Sequence, residues 1–405
     1  MTQLSKPFEM EVVEAPQPED INWQNVGKSH KELQLGKLLS NALTVTLCLL
    51  WTIPMSFISA LSSIEGLRTE FKFVGTMIDN APWLEPVLAQ LAPLLIVVAK
   101  KLVEILCVQF SARELPISGA DLQASVYPKM AWFMIIQTFF VSAVSGSILS
   151  ELSNMVEQPG LIVDLLASSL PSQSMYFIQI MLVDSSITLG IELLRVSAVA
   201  VAIIRSKIGP NLTEKESNTT WMGLRPLADP EPFRHYFVFS NVVLYFMVFF
   251  VYATIAPLTT FIVGICFFFM SASYRHQFIY IYPTFPDSGG KLWINFFSLL
   301  PFIMIIAELT LVGMIALKKS PIASAMMLPL LIVTILFSIY IKQKHFEVAA
   351  FLPALDAIVS DEKNLVDGED LQFLQSKYLQ PELREKGKAP SNTSDESSKV
   401  EILAA

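Results

Sequence analysis

Charged residues inside apolar stretches are the first candidates for function in this sequence. Lys100, Lys101, Glu192 and Arg195 each lie within a segment long and apolar enough to cross a lipid bilayer. A charge at the bilayer centre costs roughly 2.5–3.5 kcal/mol on insertion scales, so such groups are kept where they pair or face water. These residues therefore indicate the chemistry of charge within a membrane, either mutual pairing or the lining of a polar path.

The segment at residues 174–204 carries a polar stripe. At 100° per residue, Asp184, Thr188 and Glu192 fall at about 0°, 40° and 80° around a helix, and Arg195 at about 20°. Three charges would cost roughly 7–10 kcal/mol at the bilayer centre unless the stripe faces protein or water. Two interpretations stay open. The stripe lines a pore or cavity, or Glu192 and Arg195 form an i,i+3 ion pair that snorkels at the membrane edge.

A second polar face lies in the segment at residues 87–110. Lys100 and Glu104 are spaced i,i+4 and share a face, whereas Lys101 points about 100° away. Lys100 and Glu104 either neutralise each other at a helix–helix contact or line and gate the same conduit as the first stripe. Two striped helices in one bundle favour a shared path.

Small and isolated polar residues complete the set of candidates. Ser142, Gly146 and Ser150 recur every four residues, which is typical of close helix packing or, alternatively, of a flexible helix beside a pore. Gly190 is a candidate hinge or a contact point, since glycine weakens a helix interior. Glu308 is a lone acid for which satisfied burial and function are both open.

Membrane helices are the elements that must position these residues. Of the 405 residues, 53% are hydrophobic and only 16% are charged, whereas soluble proteins average about 25% charged residues. Apolar runs of about 20 residues predict an all-α polytopic membrane protein with about eight spanning helices. The fourth span is too long for a straight crossing, so we expect it to tilt, bend or protrude. The predicted spans are 38–62, 87–110, 130–152, 174–204, 236–256, 258–280, 294–317 and 322–342.

The charges that flank these spans predict the orientation of the chain. Fourteen Lys and Arg residues lie at the segments on the side of the termini, against four on the opposite side. The positive-inside rule therefore predicts that both termini are cytoplasmic. We predict a cytoplasmic N-terminal segment at residues 1–36, a transmembrane domain at 37–345, and a cytoplasmic tail at 346–405 that is disordered towards its end.

Several function classes have no signature in this sequence. It contains no P-loop, no HExxH, no GxSxG and no glycine-rich dinucleotide turn, so we do not expect an enzyme. No metal-ligand spacing or cofactor motif occurs, and no basic-aromatic patch suggests a nucleic-acid partner. Cys48, Cys107 and Cys266 fall in apolar segments, where we expect small buried side chains rather than disulfides.

Blocks of sequence, in order along the chain, resemble the OSCA/CSC family of hyperosmolality-gated, calcium-permeable, stress-gated cation channels, which is related to the anoctamins. They are APQPEDINWQN at residues 15–25, SLP at 169–171, ELLR at 192–195, PLADPEPF at 226–233, APL at 256–258, and YIY at 280–282 followed by SGGKLW at 288–293. The chain departs from the family pattern in its second span, where Lys100 and Lys101 are unusually basic.

The resemblance implies an anoctamin-like channel bundle with a pore inside each subunit. The eight spans would correspond to the last eight of the family's eleven helices, so three helices and most of a cytoplasmic domain are expected to be missing before residue 1. Residues 1–36 would then be the end of that domain and residues 37–345 the channel domain. By the same match, the second, third and fourth spans line the pore.

The combined prediction is a subunit of a mechanically or osmotically gated, calcium-permeable, non-selective cation channel with a pore within each subunit. The candidate pore-lining or gating residues are Asp184, Thr188, Glu192, Lys100, Glu104, Gly190 and Gly146. Expected partners are membrane lipids, the permeating cations Ca²⁺, K⁺ and Na⁺, and a second copy in a homodimer, with the plasma membrane as the expected location. The alternatives are an anoctamin-like phospholipid scramblase and an inactive fragment of such a channel.

Overall fold

The computed structural model describes residues 15–60, 91–143, 173–208, 232–283, 290–317 and 321–346, together with residues 76, 171, 377, 378 and 380. Helices dominate these ranges, and the prediction of an all-α protein is confirmed. The helices are α1 His30–Ala60, α2 Leu91–Ala112, α3 Gly119–Phe133, α4 Ser174–Leu193, α5 Val196–Ile208, α6 His235–Ile255, α7 Leu258–Tyr280, α8 Lys291–Leu317 and α9 Pro321–Ile341. Two helices continue as π-helix, α3 through Met134–Val141 and α9 through Lys342–Phe346.

Six of the described helices are long and apolar enough to cross a membrane, namely α1, α4, α6, α7, α8 and α9. Helix α2, the second predicted span, differs from these six because it carries Lys100, Lys101 and Glu104 within its 22 residues. The third predicted span begins in α3, and its part beyond residue 143 lies outside the described residues. The protein is an integral membrane protein.

Helix α6 forms the centre of the bundle. It packs against α3 and its π-helical continuation, and against α4, α7 and α8. Its sequence is apolar all round, as expected of a helix that is surrounded by others, and Val243, Leu244 and Met247 are fully buried. Helices α1 and α9 lie outside and expose most of their apolar side chains, which suits contact with lipid tails.

The long fourth predicted span is broken into α4 and α5. The break lies at Leu194 and Arg195, and Arg195 adopts a left-handed backbone conformation with φ 48°. The expectation that this span does not cross straight is therefore confirmed. One expectation is wrong, because Arg195 does not continue the α4 stripe and the helix ends before it. Gly190 stays inside α4, so its role as a hinge or contact point stays a prediction.

Residues 15–29 pack against the loop between α2 and α3. The backbone N–H of Asn22 donates to the Ile117 carbonyl at 2.7 Å, and Asn25 Nδ2 donates to the Pro116 carbonyl at 2.8 Å. Two side chains cap the first turn of α3. The Asp20 carboxylate accepts a hydrogen bond from the backbone N–H of Ala120, and the Ser118 hydroxyl accepts one from the backbone N–H of Asp121, both at 3.0 Å. The segment before α1 is thus pinned to one end of the bundle.

Candidate functional site

A buried ion pair joins α2 to α4 in the interior of the bundle. Lys100 is 1% exposed, and its Nζ lies 2.5 Å from Asp184 Oδ1. The same ammonium group donates a hydrogen bond to Asn241 Oδ1 on α6 at 3.0 Å. A lysine stem on α2 thus carries its charge across the bundle to two other helices.

Asp184 is the acidic centre of this site. Its side chain is 1% exposed, and Tyr245 on α6 donates a hydrogen bond from its hydroxyl to Oδ2 at 2.7 Å. Asn241 and Tyr245 are spaced i,i+4, so one face of α6 presents both groups to the carboxylate and the ammonium. We call Lys100, Asp184, Asn241 and Tyr245 the central cluster. A buried charge needs such partners, since leaving it unpaired is strongly destabilising.

A second group of charges surrounds Glu104, one turn along α2. Its carboxylate accepts from Lys101 Nζ and Arg234 at 3.1 Å each, and from the Tyr236 hydroxyl at 3.2 Å. Lys101 also sits 3.5 Å above the ring of Phe237, a cation–π contact. We call these five residues the outer cluster, because Lys101 and Arg234 are 36% and 40% exposed.

The predicted pairing of Lys100 with Glu104 is wrong. The i,i+4 spacing puts both residues on one face of α2, but each forms its ion pair with a residue from another part of the bundle. Lys100 reaches Asp184 in the interior, while Glu104 faces the start of α6 and binds Arg234 there. Lys101, which had no assigned partner, binds Glu104.

A narrow cavity adjoins the central cluster. Thr188, the second residue of the predicted stripe, lines it. The cavity has an empty volume of about 220 Å³ including its mouth, while its inner space suits roughly one water molecule. The remaining lining residues are Ser185, Leu189, Val238, Asn241, Tyr245, Met270 and Tyr274. The predicted stripe thus begins in the central cluster at Asp184 and continues at Thr188 along a small space with mixed polar and apolar walls.

The remaining predicted site residues lie apart from this centre. Glu192 is half-buried near the end of α4. Its backbone carbonyl accepts a hydrogen bond from Gln277 Nε2 at 3.2 Å, and the charge of its carboxylate acts on Lys101. Gly190 lies one turn before the end of α4, and a Cβ there would meet open space. Gly146 lies outside the described residues, so its predicted role in packing or pore lining stays a prediction.

Sequence reasoning missed two members of the central cluster. Asn241 and Tyr245 carry no formal charge, so a search for charges within apolar spans passes over them. Their i,i+4 spacing in an otherwise apolar segment was the available signal. Both are polar groups that need buried partners.

A third polar group lies where α1, α2 and α3 meet, outside the bundle centre. Glu114, in the loop after α2, binds Lys129 and accepts a hydrogen bond from the Ser125 hydroxyl at 2.8 Å. Burial raises the pKa of the Glu114 carboxyl, but hydrogen bonds from Lys129 and Ser125 and the charge of Lys129 outweigh it, so the pKa is lowered from its usual value. This group fastens the loop to α3.

Among the described residues, no group of three or more His, Cys, Asp or Glu is arranged to hold a metal ion. Cys48, Cys107 and Cys266 are free thiols, and the last two are buried. The central cluster combines one carboxylate, one amide, one phenol and one ammonium. Such a set binds charge.

The family model described as "Calcium-dependent channel, 7TM region" matches residues 36–315. Seven of the eight predicted spans begin within that range. The OSCA/CSC resemblance is confirmed by three similar proteins of Arabidopsis thaliana, named hyperosmolality-gated Ca²⁺ permeable channels 1.7, 2.1 and 2.5. Channel 1.7 is 24% identical over 91% of this chain and 46% of its own length. Channel 2.1 is 26% identical over 88% and 46%, and channel 2.5 is 26% identical over 91% and 50%. The chain spans about half the length of the curated relatives it matches.

Proposed function

The chain belongs to the family described as "Calcium-dependent channel, 7TM region", a channel family rather than an enzyme family, and on that premise we propose that it is a subunit of a calcium-permeable cation channel. We further propose that the channel is non-selective among cations and is opened by osmotic stress or membrane tension. The proposed location is the plasma membrane, with both termini cytoplasmic. Residues 1–36 would precede the channel domain at residues 37–345, and residues 346–405 would form the tail. Lipids surround it, and a second copy forms a homodimer.

The observation that carries this proposal is the central cluster. Polar and charged side chains from α2, α4 and α6 converge inside a bundle whose outer helices are apolar. In a membrane, polar groups at such depth are characteristic of ion pathways. The pore we propose runs along the α4 stripe from Asp184 past Thr188 towards Glu192, between α4 and the facing sides of α2 and α6.

In this proposal the observed geometry is that of a closed pathway. Lys100 neutralises Asp184, the outer cluster neutralises Glu104, and the cavity beside Thr188 suits roughly one water molecule. Tension favours whichever state occupies more area in the membrane plane, so an expanded state gains population as tension rises. In that state α2 and α4 separate, the path fills with water, and the acidic side chains attract cations.

Patch recordings with and without the purified full chain test this proposal. Across a gradient of a single salt, we expect stretch-evoked currents that reverse near the equilibrium potential of the cation rather than that of the anion, and that are also carried by Ca²⁺. Glu192→Gln should alter conductance or cation selectivity, because Glu192 lies at the end of the proposed pathway. The matched control is Glu32→Gln, at an exposed acid in the first turn of α1. The absence of tension-dependent current in wild-type protein would refute the proposal.

A lipid-scrambling assay distinguishes the alternative function. Lys101 and Arg234 are partly exposed beside the pathway, and cations in that position favour passage of anionic headgroups. Fluorescent-lipid exchange in liposomes without any ionic current would favour a scramblase of the anoctamin type. Current without lipid exchange would favour the channel.

A further inference from the structure

The ammonium group of Lys100 lies where oxygen ligands converge. Asp184 Oδ1 is 2.5 Å from Nζ, and Asn241 Oδ1 is 3.0 Å from it. The Tyr245 hydroxyl is placed beside Asp184 Oδ2. Carboxylate and amide oxygens are the ligands that hard cations prefer, and Ca²⁺ takes them together with water. Lys100 thus holds a positive charge at a position whose surroundings resemble part of a metal-cation site.

Asp184 is incompletely satisfied by its present partners. Oδ1 has the ammonium nearby, yet among the described residues it accepts no hydrogen bond of good geometry. The directional hydrogen bond of Lys100 goes to Asn241 instead. A metal cation makes no demand for a donor angle, and so it would suit this oxygen better than an ammonium does. The cavity that begins at Asn241 and Tyr245 offers room for a water ligand.

We propose that Asp184 and Asn241, with Tyr245 in support, form a binding site for a permeating metal cation, and that Lys100 occupies this site as a tethered cation. The inference rests on the proposed channel function and adds the gating element to it. When α2 and α4 separate, the ammonium leaves and a metal cation takes its place. Permeating cations and Lys100 therefore compete for the same oxygens.

The neighbouring lysine does not share this property. Lys101 is 36% exposed, and its partners are Glu104 and the ring of Phe237 in the outer cluster. It carries the same charge on the same helix, one residue away, but it does not contact the proposed site. Lys101→Met is therefore the matched control for Lys100→Met.

Terbium luminescence on the purified full chain in lipid nanodiscs tests this site. Tb³⁺ binds where Ca²⁺ binds, and it emits when a nearby tyrosine is excited, a role that Tyr245 fills here. We expect Lys100→Met to gain tyrosine-sensitised emission that Ca²⁺ competes away. In Lys100→Met/Asp184→Asn, half-saturation should need at least roughly tenfold more Tb³⁺, and Lys100→Met/Tyr245→Phe should bind the ion with weaker emission. Wild type and Lys101→Met should show no such gain.

Two results would overturn the inference. One is equal Tb³⁺ binding by Lys100→Met and Lys100→Met/Asp184→Asn. The other is the same gain in Lys101→Met as in Lys100→Met. If Lys100→Met does not fold, Lys100→Gln replaces it, because its shorter amide side chain vacates the metal position while still donating a hydrogen bond.

Failure of this inference is separable from failure of the channel proposal. Metal binding requires no conduction, so a wild-type protein without stretch-evoked current leaves the Tb³⁺ comparison intact. Conversely, wild-type currents together with unchanged Tb³⁺ binding in Lys100→Met reject the tethered cation alone. In a conducting protein, Lys100→Met should also raise the open probability at low tension.

Discussion

Lys100 of α2 and Asp184 of α4 form a fully buried ion pair, with 2.5 Å between Nζ and Oδ1 and each side chain 1% exposed. The desolvation of two charges makes such a pair costly to bury, so its presence adds little net stability. Removing one partner and removing both have different effects on stability. Loss of one partner leaves an uncompensated charge, whereas loss of both leaves a neutral interior.

This asymmetry predicts non-additive effects in a double-mutant cycle. Lys100→Met and Asp184→Asn should each destabilise the protein by about 3–5 kcal/mol, and the double variant should be close to wild type. Thermal unfolding in lipid nanodiscs, with chelator and low salt so that no metal replaces Lys100, measures the effect. Additive losses would show that the two side chains do not interact.

The pair of Lys291 and Asp121 is the control for that cycle. Its nitrogen–oxygen distance is also short, at 2.7 Å, but the two side chains are 50% and 33% exposed. Solvent screens the attraction, and exposed pairs contribute about 0–1 kcal/mol. We expect Lys291→Met and Asp121→Asn to shift the unfolding midpoint little, singly or together.

Close approach of α1 to the end of α2 predicts a glycine requirement at residue 36. A Cβ built on Gly36 would clash with the backbone carbonyl of Arg113, which cannot rotate away. Gly36→Ala should therefore force the two helices apart and cost about 1–3 kcal/mol, as overpacking does. A lower unfolding midpoint is the expected measurement.

Gly264 on α7 supplies the matched control for Gly36. A Cβ there meets nothing within 4 Å, and the residue lies inside a helix. Gly264→Ala should be neutral or stabilise by up to about 1 kcal/mol, because alanine favours the helix more than glycine. Equal destabilisation by both variants would contradict the close approach at Gly36.

Span positions could be predicted from the sequence because length and apolarity decide them locally. Helices α6 and α7 begin and end within about a turn of the predicted 236–256 and 258–280. The position of the break at Arg195 could not be predicted, because glycine is the residue type expected in a left-handed conformation and here that residue is an arginine. When the surrounding structure imposes such a conformation on an ordinary residue, the residue type does not reveal it.

Partners within the site were less predictable than the residues themselves. Lys100, Asp184 and Glu104 stood out as charges in apolar segments, but a projection of one helix shows only the neighbours on that helix. Whether Lys100 meets Glu104 or Asp184 depends on how α2 is rotated against α4, which long-range packing determines. The rotation brings Asp184 within reach of the lysine stem, and Lys100 pairs with it rather than with Glu104 on its own helix.

The Glu114 group predicts a pH-dependent contribution to stability. The folded-state pKa of Glu114 is lowered, since hydrogen bonds from Lys129 and Ser125 and the charge of Lys129 outweigh burial. Its contribution is therefore complete above the usual glutamate value of 4.5 and is lost as pH falls through the lower folded value. Wild type should be more stable than Glu114→Gln at neutral pH, and the difference should shrink on acidification.

Unfolding midpoints between about pH 7 and pH 3, a range that spans the usual carboxyl values, measure that difference. Glu32→Gln, at an exposed position of α1, serves as the control and should follow wild type throughout. A gap between wild type and Glu114→Gln that widens on acidification would contradict the lowered pKa.

The bend between α4 and α5 predicts that substitutions at Arg195 and at Gly190 affect stability differently. Arg195 has φ 48°, a conformation that costs an ordinary L-residue roughly 1–2 kcal/mol and glycine almost nothing. Arg195→Gly should keep or raise the unfolding midpoint, whereas the β-branched Arg195→Val should lower it. Gly190→Ala, inside α4 with open space around its Cβ, should be neutral or stabilising. The reverse pattern, with Gly190→Ala harmful and Arg195→Val tolerated, would place the bend at Gly190.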